Sequence, residues 1–262
     1  MANLDPNNPI QKEQLRRLFR VTKTLGKMLK DRGFNITEVA LHSLVGKTRT
    51  FGQRADLSFL QIHNLPFESF LEFRRQYGLF GHRQDFSSIY VKKADDGRIL
   101  DSVIVVYLTN DPKKDVSKTH FEIVYGLIQD RIYHHFILIT ETKLGPDSVR
   151  QVKEVSAQGY FIEIFKDVEL AYDRVNHALA PINVEYIPRE QVSAKATDEG
   201  IDPKKIPLIL NVDSLSKWYG AKPGDLFVTE IMGTTTDTAG YYRTVRSFNE
   251  KKVAGKKPVA KK

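Results

Sequence analysis

Apolar positions in residues 9–32 recur with helical spacing. Leu15, Leu18, Val21, Leu25, Met28 and Leu29 fall three or four residues apart and so share one helix face. Asn8-Pro9-Ile10-Gln11 has the chemistry of a helix start, with an amide cap, a proline at the first helical position and a glutamine at the third. Gly33 is the expected stop. LPFESFLEFRRQYG (65–78) predicts a second helix, with Pro66 near its start and Phe67, Phe70 and Leu71 inward. IYVKKADDGRILDSVIVVYL reads as strand, Asp-Asp-Gly turn, strand. The pattern then alternates: strand 102–109, helix about 117–133, strand 136–141, helix about 146–157, strand 160–165. Ser117 is a plausible cap for the first of these helices, and Pro146 opens the second. Such a βαβαβ series predicts an α/β N-terminal domain with a mainly parallel sheet and right-handed crossovers.

The pattern breaks at about 170–182. Beyond it lie short strands and turns with one helix, roughly 188–199, which predicts a small α+β C-terminal domain. The expected organisation is a domain over 1–172, a second over 176–249, and a tail over 250–262 too polar to order itself. Within the second domain, Leu215, Trp218 and Tyr219 sit at i, i+3 and i+4 and share a helix face. Gly220 ends that helix, because a residue without Cβ tolerates a left-handed cap. Lys222-Pro223-Gly224-Asp225 is strong turn chemistry, and VTEIMGTTTDTAGYYRTVR reads as strand, turn, strand. Trp218 and Tyr219 fit two roles equally well: the aromatic core of a small domain, or anchors of an interface. No internal repeat is present.

Charge changes the picture once it is located. The net charge is +8, but residues 1–32 hold eight Lys/Arg against three Asp/Glu, and residues 251–262 hold six Lys and no acid. The body between is therefore slightly acidic, and basicity resides in one N-terminal segment and one tail. Arg16, Arg20, Lys23, Lys27 and Lys30 step by four and three residues, a basic stripe on the first helix. It fits a solvated face or a surface facing DNA phosphates. The tail suits weak polyanion binding or an import signal. The chain has no cysteine, which excludes disulfides, zinc ribbons and thiol catalysis and fits a reducing compartment. The longest apolar runs, VIVVYL and FILI, are far too short for a bilayer core of ~30 Å, so no membrane partner is expected. No secretory signal is evident at the N-terminus.

Enzyme signatures are weak. Glu141-Thr142-Lys143 ends a predicted strand and Asp111 follows the previous one, as a Mg²⁺-dependent nuclease would need. But acid-x-Lys also occurs at Asp111-Lys113, Asp202-Lys204 and Glu250-Lys252, so the signal is at chance level. Val45-Gly46-Lys47-Thr48 mimics the end of a P-loop, yet the required upstream glycine is Leu41. The seven histidines show no metal-ligand spacing, and no GxSxG elbow appears. No catalytic residue, metal or cofactor is expected.

Three ordered segments carry a family resemblance. LRRLFRVTKTLGKMLKDRGF (15–34) resembles W-K-x-x-x-T-x-x-x-M-L-x-D-R-G-Y through Thr24, Met28, Leu29, Asp31, Arg32, Gly33 and Phe34. FIEIFKDVELAYDRVNHALAP (161–181) resembles I-E-x-F-x-E-x-E-L-x-x-x-x-x-x-H-x-L-x-P through Phe165, Glu169, Leu170, His177, Leu179 and Pro181. The third segment fits D-x-x-x-R/K-[YF]-[YF]-G-x-K-x-G-[DQ] followed by S-E-T-A-G-x-Y-x-x-Y-R. Asp213, Lys217, Trp218, Tyr219, Gly220, Lys222, Gly224 and Asp225 match its first part, and Thr236, Asp237, Thr238, Ala239, Gly240, Tyr242 and Arg246 its second. This order resembles the fifth subunit shared by the eukaryotic nuclear RNA polymerases, a family with an archaeal polymerase counterpart.

The resemblance implies a non-catalytic structural subunit of a nuclear DNA-directed RNA polymerase. The N-terminal domain would be a jaw of restriction-endonuclease-like fold without that fold's active site, near non-specifically held downstream duplex DNA. Arg16, Arg20, Lys23 and Lys27 would be DNA-proximal. So would Pro146 and Ser148, in the stretch 144–148 matching the family's T-P-S-A loop, where Asp147 adds an unexpected negative charge. The C-terminal domain would dock on the largest polymerase subunit near the small common subunits. Leu215, Lys217, Trp218, Tyr219, Thr236, Thr238, Gly240, Tyr242 and Arg246 would form that interface. Ser214, Lys217, Asp237 and Asn183 replace the family's usual Pro, Arg, Glu and His, and a lysine-rich extension follows. These departures suggest a divergent paralogue, nuclear, and nucleolar if specific to polymerase I. Two rivals remain: a Mg²⁺-dependent nuclease and a free-standing basic-tailed DNA-binding factor.

Overall fold

The computed structural model describes residues 9–41, 70, 83, 87–108, 115–117, 121, 124–125, 128, 133–177, 180–202, 205–231 and 239–248. The chain divides into two compact units, Met1–Tyr172 and Asp173–Lys262.

In the first unit, helix α1 (Pro9–Asp31) begins at the proline that the sequence marks. Its apolar stripe, Leu15 to Leu29, is buried throughout. Full burial of each such side chain contributes about 1.5–3 kcal/mol, far more than helix propensity supplies. The helix closes as the Gly33 N–H donates to the Lys30 carbonyl at 2.8 Å and the Phe34 N–H to the Leu29 carbonyl at 2.9 Å. Strands β1 (Asn35–Leu41), β2 (Ser88–Lys93), β3 (Ile99–Tyr107), β4 (His135–Thr140) and β5 (Phe161–Lys166) form a five-stranded sheet in that order. Helix α2 (Pro146–Ala157) joins β4 to β5, and a single turn, α3 (Asp167–Leu170), follows β5.

The α/β class holds, but "mainly parallel" needs correction. β1–β2 and β2–β3 pair antiparallel, and only β3–β4 and β4–β5 pair parallel. The cause is local. The Asp95-Asp96-Gly97 turn brings the chain straight back, and a tight turn can join only antiparallel neighbours. Strand β3 also starts three residues before the expected 102, at Ile99, because the hairpin extends its ladder to the turn.

One sheet face carries Ile89, Ile104, Val106, Phe136 and Leu138. They pack against Phe121, Val124 and Ile128 of the predicted 117–133 helix and against Val155 of α2. Residues 121, 124, 125 and 128 are helical, while the two ends of that prediction, Ser117 and Tyr133, are not; the remainder of it, most of helix 65–78, and the 45–48 stretch lie outside the described residues. The alternate residues Val103, Val105, Tyr107, Ile137 and Ile139 are equally buried. Sheets covered on both faces lose the polar alternation and read as continuous apolar runs, as VIVVYL and FILI do.

The second unit holds β6 (Ile182–Ile187), α4 (Arg189–Asp198), β7 (Leu208–Leu210), α5 (Ser214–Tyr219), β8 (Leu226–Ile231) and β9 (Ala239–Arg246). Its sheet runs β6-β8-β9-β7, with only β7–β9 parallel. Val192 of α4 packs with Ile187, Ile206 and Leu226 on one face. Tyr219 of α5 packs with Tyr186 and Phe227 on the other. The predicted tail, 250–262, lies outside the described residues.

Candidate functional site

The C-terminal motif folds around a buried carboxylate. Asp213 caps α5 by accepting the Leu215 N–H at 2.9 Å. The helix ends at Gly220, whose φ of 65° is left-handed. There the Ala221 N–H reaches the Ser216 carbonyl at 2.8 Å and the Gly220 N–H the Lys217 carbonyl at 3.2 Å, the paired bonds of a glycine C-cap. The Lys-Pro-Gly-Asp turn then places Asp225 in the interior. Its carboxylate accepts from the Lys222 N–H at 2.6 Å, the Tyr186 hydroxyl at 2.8 Å and the Arg189 N–H at 3.0 Å. One side chain thus ties the turn to β6 and to the first turn of α4. Gly224 has φ of +100°, and a Cβ there would sit 2.9 Å from Arg189 Cδ. Asp225→Ala is expected to cost about 2–4 kcal/mol, since three donors lose a charged acceptor. Urea unfolding of the full chain checks this; a loss below about 0.5 kcal/mol would mean that the turn holds without the carboxylate.

The predicted interface residues separate by burial. Leu215 and Trp218 are interior, so they support the unit from beneath and do not present themselves on its surface. Tyr219 is half-buried, with its ring stacked 5.9 Å from Tyr186. Lys217 and Arg246 are half-buried, and Gly240 is exposed opposite Glu230. The half-buried Tyr242 donates its hydroxyl to Glu199, which also pairs with Lys195 at 3.0 Å. That hydrogen bond raises the Tyr242 pKa and lowers that of Glu199. Thr236 and Thr238 lie outside the described residues.

In the N-terminal unit the basic stripe lies on the solvent side of α1. Arg16, Lys23, Lys27 and Lys30 are exposed. Glu13 partly neutralises the stripe's start, 2.6 Å from Arg20 and 3.9 Å from Arg16. Arg20 also lies 6.0 Å from the Tyr172 ring centroid. Pro146 is exposed at the first position of α2. Ser148 needs correction as a DNA-proximal residue. It is fully buried, and its hydroxyl donates 2.8 Å inward to the Val116 carbonyl, stapling the 144–148 loop to that residue. Asp147 remains exposed and pairs with Arg150 at 3.2 Å.

Two buried charge clusters escaped sequence reasoning. Arg32 sends both terminal nitrogens to Glu163, at 2.6 and 2.8 Å, and His135 Nε2 lies 2.7 Å from the same carboxylate. Burial alone would raise the Glu163 pKa. The Arg32 charge and the hydrogen bonds from His135 and Arg32 outweigh it and hold the pKa at about 2. Arg83 forms a two-pronged pair with the buried Asp167, one prong at 2.6 Å, with Glu141 at 3.5 Å and the Tyr107 ring centroid at 5.5 Å. Burial opposes the guanidinium charge, but Asp167 and then Glu141 hold the Arg83 pKa above its ordinary value. Burial pushes Glu141 up, against the lowering charge of Arg83.

Glu141 and Lys143 are therefore not brought together as a nuclease would need. Glu141 faces a guanidinium, and Lys143 is exposed, 3.8 Å from Asp115. Among the described residues no three His, Cys, Asp or Glu cluster as a metal site. Likewise, no described helix is long and apolar enough to cross a membrane.

Comparison with known proteins gives these units a context. Residues 172–245 match the family model for RNA polymerase Rpb5, C-terminal domain. Over 231 residues the chain is 24% identical to the DNA-directed RNA polymerases I, II, and III subunit RPABC1 of Caenorhabditis briggsae, covering 88% of this chain and 94% of that one. Over 237 residues it is 21% identical to the DNA-directed RNA polymerase V subunit 5A of Arabidopsis thaliana, covering 90% and 91%. Residues 172–245 are thus similar to the Rpb5 C-terminal domain, and most of the chain's length is similar to RNA polymerase subunits.

Proposed function

We propose that this protein is a non-catalytic scaffold subunit of a nuclear DNA-directed RNA polymerase. The C-terminal unit is its assembly half, docking on the largest subunit near the small common subunits. The N-terminal unit is its jaw, directed at downstream duplex DNA. The observation that carries this is the coincidence of the Rpb5 C-terminal match, 172–245, with a folded unit built around the motif carboxylate Asp225. Polymerisation itself would belong to the large subunits, and the site of action is the nucleus. Divergence from the family motif supports a paralogue specialised to one polymerase class.

A tagged full-length chain is expected to recover the largest subunit of one nuclear polymerase. Recovery of all three largest subunits would refute the specialisation, and recovery of none would sink the scaffold assignment. The jaw's contribution is electrostatic, through Lys23, Lys27 and Lys30. Cations near phosphates release counterions, so the lone chain should bind duplex weakly and with a salt dependence. Lys23→Glu with Lys27→Glu is expected to lower the slope of log K against log salt by about 2. An unchanged slope would remove α1 from the DNA path, and tight binding by the lone chain would favour the free-standing DNA-binding factor.

A further inference from the structure

Among the described residues β7 is an edge strand with a one-sided ladder. The Thr244 N–H donates to the Pro207 carbonyl and the Asn211 N–H to the Arg246 carbonyl, both at 2.9 Å. With Leu208 opposite Thr244 and Leu210 opposite Arg246, this parallel pattern uses the groups of Pro207, Ile209 and Asn211. The N–H and C=O of Leu208 and the N–H of Leu210 consequently face away from β9. The Leu210 carbonyl turns to the Asp213 N–H at 3.0 Å.

Apolar side chains flank this open edge. Leu208, Val212 and Phe248 are 55%, 54% and 55% exposed. Asn211 draws the last two together, its side-chain oxygen accepting the Phe248 N–H at 3.0 Å. The opposite edge of the same sheet is guarded. β6 has a register shift between Ile182 and Glu185, and Glu185 pairs with Lys195 at 3.1 Å. Shifts and charges of this kind keep stray strands off an edge. β7, Leu-Ile-Leu, carries neither.

We propose that the outer edge of β7 receives an extended segment of another polymerase subunit. The segment pairs with the main chain of Leu208 and Leu210 and rests on Leu208, Val212 and Phe248. This rests on the scaffold assignment above and gives it a docking surface. The open donors and acceptor call for a strand, since a helix has no main-chain groups to offer them. Charge sets the flank: Lys205, its side chain 85% exposed and three residues ahead of β7, pairs with Asp202 at 3.7 Å, a weak exposed contact that an incoming carboxylate can replace, while the Asp213 carboxylate is occupied by its cap. The incoming strand is therefore apolar at alternate positions, with a carboxylate at its Lys205 end.

The test uses the tagged full-length chain and recovery of identified polymerase subunits. Leu208→Pro removes one outward N–H and leaves the bonds to β9 in place, because proline is tolerated where the strand N–H faces out. Phe248→Ser removes one anchor. Each is expected to cut recovery about tenfold or more while the thermal midpoint of the free chain stays put. In the assembled wild-type complex, hydrogen exchange at the Leu208 and Leu210 amides should slow. Undiminished recovery of both variants, or unchanged exchange at both amides, overturns the docking proposal and leaves the scaffold assignment standing. If the wild-type chain recovers no polymerase subunit, the scaffold assignment falls first and takes this proposal with it.

Discussion

Arg83→Met is expected to destabilise the N-terminal unit by about 3–5 kcal/mol, among the largest effects of any single substitution in the chain. Asp167 is nearly inaccessible and holds Arg83 through both carboxylate oxygens. Removing the guanidinium leaves that carboxylate buried with its strongest partner gone. Glu141 loses its neighbouring cation as well, so its pKa climbs further. Arg83→Lys should recover only part of the loss, because an ammonium cannot supply the two-pronged geometry. The double substitution Arg83→Met with Asp167→Leu should cost less than Arg83→Met alone, since no orphan charge remains. Urea unfolding of the four proteins decides it. A loss under about 1 kcal/mol for Arg83→Met would mean that the pair is not formed in solution.

Glu163→Ala is the second large effect, expected at about 3–5 kcal/mol, because it strands the buried Arg32 guanidinium. Glu163→Gln separates charge from shape and bears on pH. The folded pKa, about 2, lies below the roughly 4.3 of an unfolded glutamate. The unfolded chain thus takes up this proton first as pH falls. The stabilisation is complete above about pH 5 and is lost as pH falls through about 2, on the order of 3 kcal/mol in all. Glu163→Gln should flatten the stability profile across that window and leave it parallel to wild type near neutrality. An unaltered acid limb would show that other carboxylates govern acid unfolding. In structural terms this pair fastens the C-terminal end of α1 to β5. It gives Arg32, in the Asp-Arg-Gly match at 31–33, a definite role inside the fold.

Much of the fold follows from local chemistry. Pro9 and Gly33 bound α1, Pro146 opens α2, and Asp213 with Gly220 frames α5, since caps and breakers act on their own few residues. The alternating runs after residue 100 identify β3, β4 and β5 for the same reason, to within a few residues at their ends. Sheet direction was less legible, because the Asp-Asp-Gly hairpin makes one pair antiparallel whatever the later βα units do.

The order of residues alone was enough to assign these helices, strands and turns and to read the family motif toward the end of the chain. The roles of individual side chains came from the folded arrangement. Trp218 and Leu215 have the same helical spacing whether they face a partner or a core, and their burial in the folded unit makes them core. Ser148 looked available because 144–148 matches the family's T-P-S-A loop, yet Val116, 32 residues away, takes its hydroxyl. Arg83 and Asp167, like Arg32 and Glu163, are ordinary surface types whose pairing spans 84 and 131 residues. Charge pairing and edge exposure depend on distance in space, and sequence separation does not encode that distance until the sheet has set it.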